Sequence, residues 1–190
     1  NEAKQICIDH CFIQFDSTIK ACRGINFLSR TTALIRDSHF RNCKTTESAG
    51  GGGLFYNNRF GNNEDEESLT IEGCFFNNTQ APNGCALLTW LETPIILRNN
   101  LFWYNTNGKY IISVFYNKYV NETIVEDCYF EFNFFQNNDA SRDGGGSGLW
   151  IANARDLVPD TEVKKLTFNG CTWRNNTADA YGGAFAYGQS

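Results

Sequence analysis

Thiols and imidazoles are the side chains in this sequence best able to act as nucleophiles or metal ligands. Eight cysteines occur, at Cys7, Cys11, Cys22, Cys43, Cys74, Cys85, Cys128 and Cys171. A tetrahedral zinc site draws on two close cysteine or histidine pairs, and only Cys7 and Cys11 are close. No metal site is therefore expected. An even cysteine count is compatible with disulfides in an extracellular chain, and the spacing leaves their pairing open. His10 and His39 occupy adjacent repeat positions in neighbouring coils, where turn residues in a stack account for both more simply than a base oriented by a third group. No catalytic residue is expected from them. The contiguous acids Glu64-Asp65-Glu66-Glu67 read as a solvated loop, because calcium loops spread their oxygens at alternating positions around a glycine turn. Gly50-Gly51-Gly52-Gly53 and Gly144-Gly145-Gly146 lack the following Lys-Ser/Thr and helix of a phosphate loop. Asn77, Asn121 and Asn175 each begin an Asn-x-Ser/Thr triplet and are candidate glycosylation sites. No cofactor is expected.

The background composition narrows the class further. The chain has 190 residues, a formal net charge of −5 and only 19% charged residues, which disfavours nucleic acid as a partner. No apolar run reaches the ~18 residues of a membrane span. Methionine is absent, and the last residues, Tyr187-Gly188-Gln189-Ser190, directly follow an apolar segment. The sequence reads as a piece of a longer mature chain with no signal peptide present. Aromatics make up 15%, with 16 Phe, 23 Asn and 17 Gly against 3 Pro. That mixture suits short strands joined by tight turns. The stretch Ala86 to Leu91 is too short and uncapped for a helix.

A six-residue pattern recurs six times: apolar, any, turn-type, small, any, large apolar. The copies begin at Ile8, Ile35, Ile71, Leu97, Val125 and Phe168, spaced 27, 36, 26, 28 and 43 residues apart. Each is followed by a glycine corner opening an apolar strand, at Gly24, Gly52, Gly84, Gly108, Gly148 and Gly182. Repeats of this size, built from short strands, indicate an all-β solenoid forming a single domain over residues 1–190. Six coils at the spacing of parallel strands would stack to about 29 Å.

Stacking would place equivalent residues in columns. One holds Ile35, Ile71, Leu97, Val125 and Phe168, and a second holds Phe40, Phe76, Phe102, Phe130 and Trp173. Each buried apolar side chain would contribute roughly 1.5–3 kcal/mol. Asn105, Asn133 and Asn176 fall at one offset and would form a hydrogen-bonded ladder, while Asn42 and Asn78 fall one residue earlier. Glycine, aspartate and asparagine at the corners are expected to supply positive φ. Cys11, Cys74, Cys128 and Cys171 share the small position, with Asn100 between Cys74 and Cys128, so those two would lie ~9.6 Å apart, too far for a disulfide. Asp9, Arg36, Glu72, Arg98 and Glu126 alternate in sign along an outward row.

Phe102-Trp103-Tyr104-Asn105, Phe130-Glu131-Phe132-Asn133, Phe75-Phe76-Asn77-Asn78 and Trp173-Arg174-Asn175-Asn176, together with Gly182-Gly183-Ala184-Phe185, carry a family resemblance. The pattern resembles the paired repeats of the polymorphic outer-membrane proteins of chlamydiae and similar protozoan surface proteins. The glycine motif is clean only at Gly182; the other five corners depart from it. The resemblance implies a right-handed parallel β-helix, exposure at a cell surface, and adhesion without catalytic residues.

The expected function is thus a non-enzymatic structural or adhesive module, extracellular or on a cell surface. Its partners would be a host or neighbouring surface protein or glycan and further coils of the parent chain. Trp90, Trp103 and Trp150 are candidate contact residues. The rival is a polysaccharide lyase or hydrolase built on the same architecture. The acids nearest to a stack are those of the acid–arginine row, which reads as a stabilising surface row rather than a site.

Overall fold

A computed structural model describes residues 5–16, 23–27, 32–46, 52–57, 68–82, 84–91, 95–106, 110–116, 123–135, 147–153, 166–178 and 184–189. Among them the chain is all-β. Among the described residues no helix is long and apolar enough to cross a membrane. The strands fall into six successive passes. The first holds β1 (Gln5–Asp9), β2 (Phe12–Gln14) and β3 (Ile25–Phe27), and the second β4 (Thr32–Arg36), β5 (His39–Arg41) and β6 (Leu54–Asn57). The third holds β7 (Leu69–Glu72), β8 (Phe75–Asn77) and β9 (Gly84–Leu91), and the fourth β10 (Ile95–Arg98), β11 (Leu101–Trp103) and β12 (Tyr110–Tyr116). The fifth has β13 (Thr123–Glu126), β14 (Tyr129–Glu131), β15 (Phe134–Phe135) and β16 (Ser147–Asn153). The sixth has β17 (Leu166–Asn169), β18 (Thr172–Arg174), β19 (Thr177–Ala178) and β20 (Phe185–Gln189). Three parallel six-stranded sheets each take one strand from every pass in chain order: β1-β4-β7-β10-β13-β17, β2-β5-β8-β11-β14-β18 and β3-β6-β9-β12-β16-β20.

Register aligns the pattern residues. Ile8, Ile35, Ile71, Leu97, Val125 and Phe168 face one another in succession along the first sheet. Ile13, Phe40, Phe76, Phe102, Phe130 and Trp173 do so along the second. The strand period of two turns these residues inward and their neighbours outward. Ile35, Phe40, Ile71, Phe76, Leu97, Phe102, Val125 and Phe130 are fully buried, while Phe168 and Trp173 pack against this core partly buried. The inward rings stack nearly parallel, with centroids 4.6 Å apart for Phe40–Phe76 and 4.9 Å for Phe102–Phe130.

Each pass bends between its first two strands at one left-handed residue. His10, Asp37, Asn99 and Asp127 take φ between 47° and 53°, and Gly73 and Gly170 take 64° and 62°. Histidine, asparagine and aspartate tolerate this region better than most residues, and glycine enters it freely. The next residue is short and closes the bend. Its side chain donates to the carbonyl two residues back, as Ser38 does to Arg36 at 2.7 Å, Cys74 to Glu72 at 3.4 Å and Cys128 to Glu126 at 3.3 Å. A second left-handed bend follows the second sheet, at Asn42, Asn78, Tyr104, Phe132 and Asn175.

The corner glycines differ from the expectation. None of Gly24, Gly52 and Gly53 has positive φ. What excludes a side chain there is close approach: a Cβ on Gly53 would lie 2.8 Å from the Ala86 carbonyl oxygen and 2.9 Å from Phe76 Cδ1. The Gly24 N–H donates to the Gly52 carbonyl and the Gly52 N–H to the Gly84 carbonyl. Gly84 then faces Tyr110, however, and an irregularity between Tyr110 and Ile112 brings Leu87 opposite Ile112. Gly108 and Gly182 lie outside the described residues.

Candidate functional site: two outward rows

The first sheet carries a charge row on its outer face. Register places Asp9 beside Arg36, Arg36 beside Glu72, Glu72 beside Arg98, Arg98 beside Glu126, and Glu126 beside Asn169. The Arg36 Nη2 donates to Asp9 Oδ2 at 2.7 Å, and Arg98 Nε donates to Glu126 Oε2 at 2.7 Å. That hydrogen bond from Arg36 holds the Asp9 carboxyl below the usual carboxylate range. Water and salt screen pairs this exposed, so they add little to stability.

One cluster here was not visible in the sequence. His10 Nδ1 lies 2.6 Å from Asp9 Oδ1, and its Nε2 lies 3.8 Å from Asp37 Oδ2. Ligating atoms of Asp9, His10 and Asp37 all fall within 4.8 Å of one another. Asp37 joins the group only because β1 and β4 pair with a 27-residue offset. The donor types suit a divalent cation, but the Arg36 guanidinium already occupies Asp9 and would oppose a second positive charge. The adjacent Cys11 thiol donates to the Asp9 carbonyl at 3.4 Å rather than to the imidazole. His10 and His39 are also separated: the first sits at the bend and the second in β5.

The second sheet carries a ribbon of aromatic rings on its outer face. Phe12 meets His39 edge-on at 4.9 Å, and His39 stacks on Phe75 at 4.4 Å. Phe75 lies 6.1 Å from Trp103, and Trp103 meets Tyr104 edge-on at 5.1 Å. Tyr104 then stacks on Phe132 at 5.9 Å. The rings thus touch in series from the first pass to the fifth. Phe12, Tyr104 and Phe132 are exposed, as are Tyr129 and Phe134. Burial, reinforced by Arg41, lowers the pKa of His39, which makes it a neutral plate in the series. Polar groups border the ribbon: Arg174 Nη2 donates to Glu131 Oε1 at 2.8 Å, beside Trp103 in register. Of the tryptophans singled out earlier, Trp103 belongs to the ribbon, while Trp90 and Trp150 lie on the third sheet.

Behind the second bend runs an asparagine ladder. Asn105 Nδ2 donates to the Phe76 carbonyl at 3.1 Å and to Asn133 Oδ1 at 3.0 Å. Asn133 Nδ2 donates to Phe102 O at 2.9 Å and Asn176 Oδ1 at 2.9 Å, and Asn176 Nδ2 donates to Phe130 O at 2.7 Å. Asn42 and Asn78 belong to the bend instead, where Asn78 Nδ2 donates to Asn42 Oδ1 at 2.8 Å. Of the glycosylation candidates, Asn175 is exposed at the second bend, whereas Asn77 is half-buried in β8. Asn121, Cys22, Glu64 to Glu67 and Gly144 to Gly146 lie outside the described residues.

No protein-family model matches the chain, and neither a curated protein nor a solved structure matches it.

Proposed function

We propose that the chain is a right-handed parallel β-helix of about six coils, serving as a non-enzymatic structural and adhesive module in an extracellular or cell-surface setting. In-order parallel pairing within three sheets supports the coil reading. Connections between parallel strands of one sheet are right-handed in about 98% of cases. The aromatic-x-x-asparagine likeness to chlamydial outer-membrane repeats points to the same architecture and setting. The aromatic ribbon carries the functional reading. Exposed aromatic rings touching in series form a contact surface that needs no chemistry to act. Flat rings bordered by amides and charged groups suit a glycan, whose sugar faces pack on rings while its hydroxyls take the polar margin.

The rival reading, a polysaccharide lyase or hydrolase, draws on the acid–arginine row. A general acid needs a raised pKa, whereas Arg36 lowers that of Asp9. Retention on immobilised polysaccharides and glycans, beside an assay for uronate release from pectin and alginate, separates the two. Tyr104→Ala combined with Phe132→Ala should cut retention at least about tenfold, equivalent to ~1.4 kcal/mol, with the thermal melt little changed. Retention indifferent to these rings would refute the adhesive surface. Uronate release that disappears in Arg36→Ala or Glu72→Ala would instead establish the enzyme.

A further inference from the structure

The short residue after each first bend forms an inward column: Cys11, Ser38, Cys74, Asn100, Cys128 and Cys171. Along most of it neighbouring groups differ. The Cys11 backbone N–H donates to Ser38 Oγ at 3.1 Å, and the Cys74 N–H donates to Asn100 Oδ1 at 2.9 Å. Asn100 thereby separates Cys74 from Cys128. Nothing separates Cys128 from Cys171.

The backbone holds this last pair in register from both sides. The Asp127 N–H donates to the Asn169 carbonyl at 2.8 Å, and the Thr172 N–H donates to the Cys128 carbonyl at 2.9 Å. Adjacent strands lie ~4.8 Å apart. Disulfide-bonded cysteines place their Cα atoms about 4.4–6.8 Å apart, so the spacing already suits a bond. Both residues carry free thiols; Cys128 Sγ donates to the Glu126 carbonyl at 3.3 Å and Cys171 Sγ to the Val125 carbonyl at 3.2 Å. They differ in access: Cys128 is buried and Cys171 only partly so.

We propose that Cys128 and Cys171 form a redox dithiol, oxidised to a disulfide by a low-molecular-weight disulfide of the glutathione type. Cys171 is the attacking thiol because it is the more accessible. Its thiolate attacks one sulfur of the external disulfide, whose S–S bond breaks, and the departing thiolate takes a proton from water. Cys171 then carries a mixed disulfide. Cys128 loses its proton to solvent and attacks the Cys171 sulfur, and the second small thiolate leaves and is protonated in turn. Two protein thiols and one small disulfide become one protein disulfide and two small thiols. Two surroundings favour this order. The neighbouring thiol is the largest cause of both shifts: it holds the Cys171 thiol below the ordinary range and, together with burial, Cys128 above it. Asn100 Nδ2, 3.8 Å from Cys128 Sγ, donates to the thiolate that Cys128 becomes on losing its proton, before it attacks. The product would tie the fifth pass to the sixth.

The test is oxidation of the 190-residue chain with oxidised glutathione at neutral pH, followed by alkylation, proteolysis and mass spectrometry. The expected product is a Cys128–Cys171 cross-linked peptide about 2 Da lighter than its two reduced parts combined. In Cys128→Ser, glutathione should stay on Cys171. Wild-type chain that keeps a lasting glutathione adduct at Cys171, without the cross-link, would overturn the proposal. So would Cys171 remaining reduced while the exposed Cys7 and Cys11 are modified. Both of those readings come from the wild-type chain, so neither depends on the variant folding.

Discussion

Phe130→Ala should lower the unfolding free energy by about 3–5 kcal/mol, the range for emptying a phenylalanine site in a packed core. Phe130 is fully buried. Its ring lies between Phe102, 4.9 Å away and tilted 9°, and Trp173, 5.1 Å away and tilted 3°. Truncation would remove both stacking partners' contacts at once, and such ring pairs add about 0.5–1.5 kcal/mol beyond buried area. The flanking rings cannot close the gap, because the strands that carry them are fixed at ladder spacing by β11–β14 and β14–β18 pairing. Glu126→Ala is the internal control. It lies in the same pass, pointing outward, and loses a half-exposed pair with Arg98, so it should cost under about 1 kcal/mol. Urea midpoints at constant m-value measure both. Two small, equal changes would mean that Phe130 does not support the stack.

The contrast shows what a repeat makes readable. Ile35, Ile71, Leu97 and Val125 can be placed in one column because the six-residue pattern keeps its length while the linking segments vary. Parallel pairing in an all-β chain follows from the same regularity. Contacts between neighbouring passes were harder to read. Asp37 reaches His10 only through an offset of 27 residues, and the repeat pattern does not tell that these two side chains converge, whereas Cys128 and Cys171 follow from their shared small position in successive repeats. The ribbon was only partly visible. Trp103 stood out by type, but Tyr104 and Phe132 become exposed because they occupy left-handed bends. Asn100 does interrupt the cysteine column, and it does more: its Nδ2 donates to the Ile71 carbonyl at 2.8 Å, so it satisfies the backbone as the asparagines of the second bend do. The corner glycines misled for a simpler reason: composition does not distinguish a need for positive φ from a need for empty space.

Asn133→Leu tests the polar half of the core and should cost roughly 2–6 kcal/mol, although it keeps the same branched heavy-atom skeleton. Asn133 is 1% exposed. Its Oδ1 accepts from the Asn105 backbone N–H at 2.9 Å, and its Nδ2 donates to the Phe102 carbonyl at 2.9 Å. Leucine does neither, so one amide and one carbonyl would be left unpaired away from water, at about 1–3 kcal/mol each. Asn133→Asp distinguishes this account from a packing effect. The introduced carboxylate can still accept from Asn105, but it faces the Phe102 carbonyl and Asn176 Oδ1 with no proton to donate. Burial and these acceptors would raise its pKa in the folded state above the unfolded ~3.9. Protonation therefore favours the fold. The variant should be weakest near neutral pH and recover relative to wild type as pH falls towards the unfolded value. Chemical denaturation at neutral and mildly acidic pH reads both variants. If Asn133→Leu proves neutral, or Asn133→Asp shows no recovery in acid, the ladder is not what satisfies the backbone at this bend.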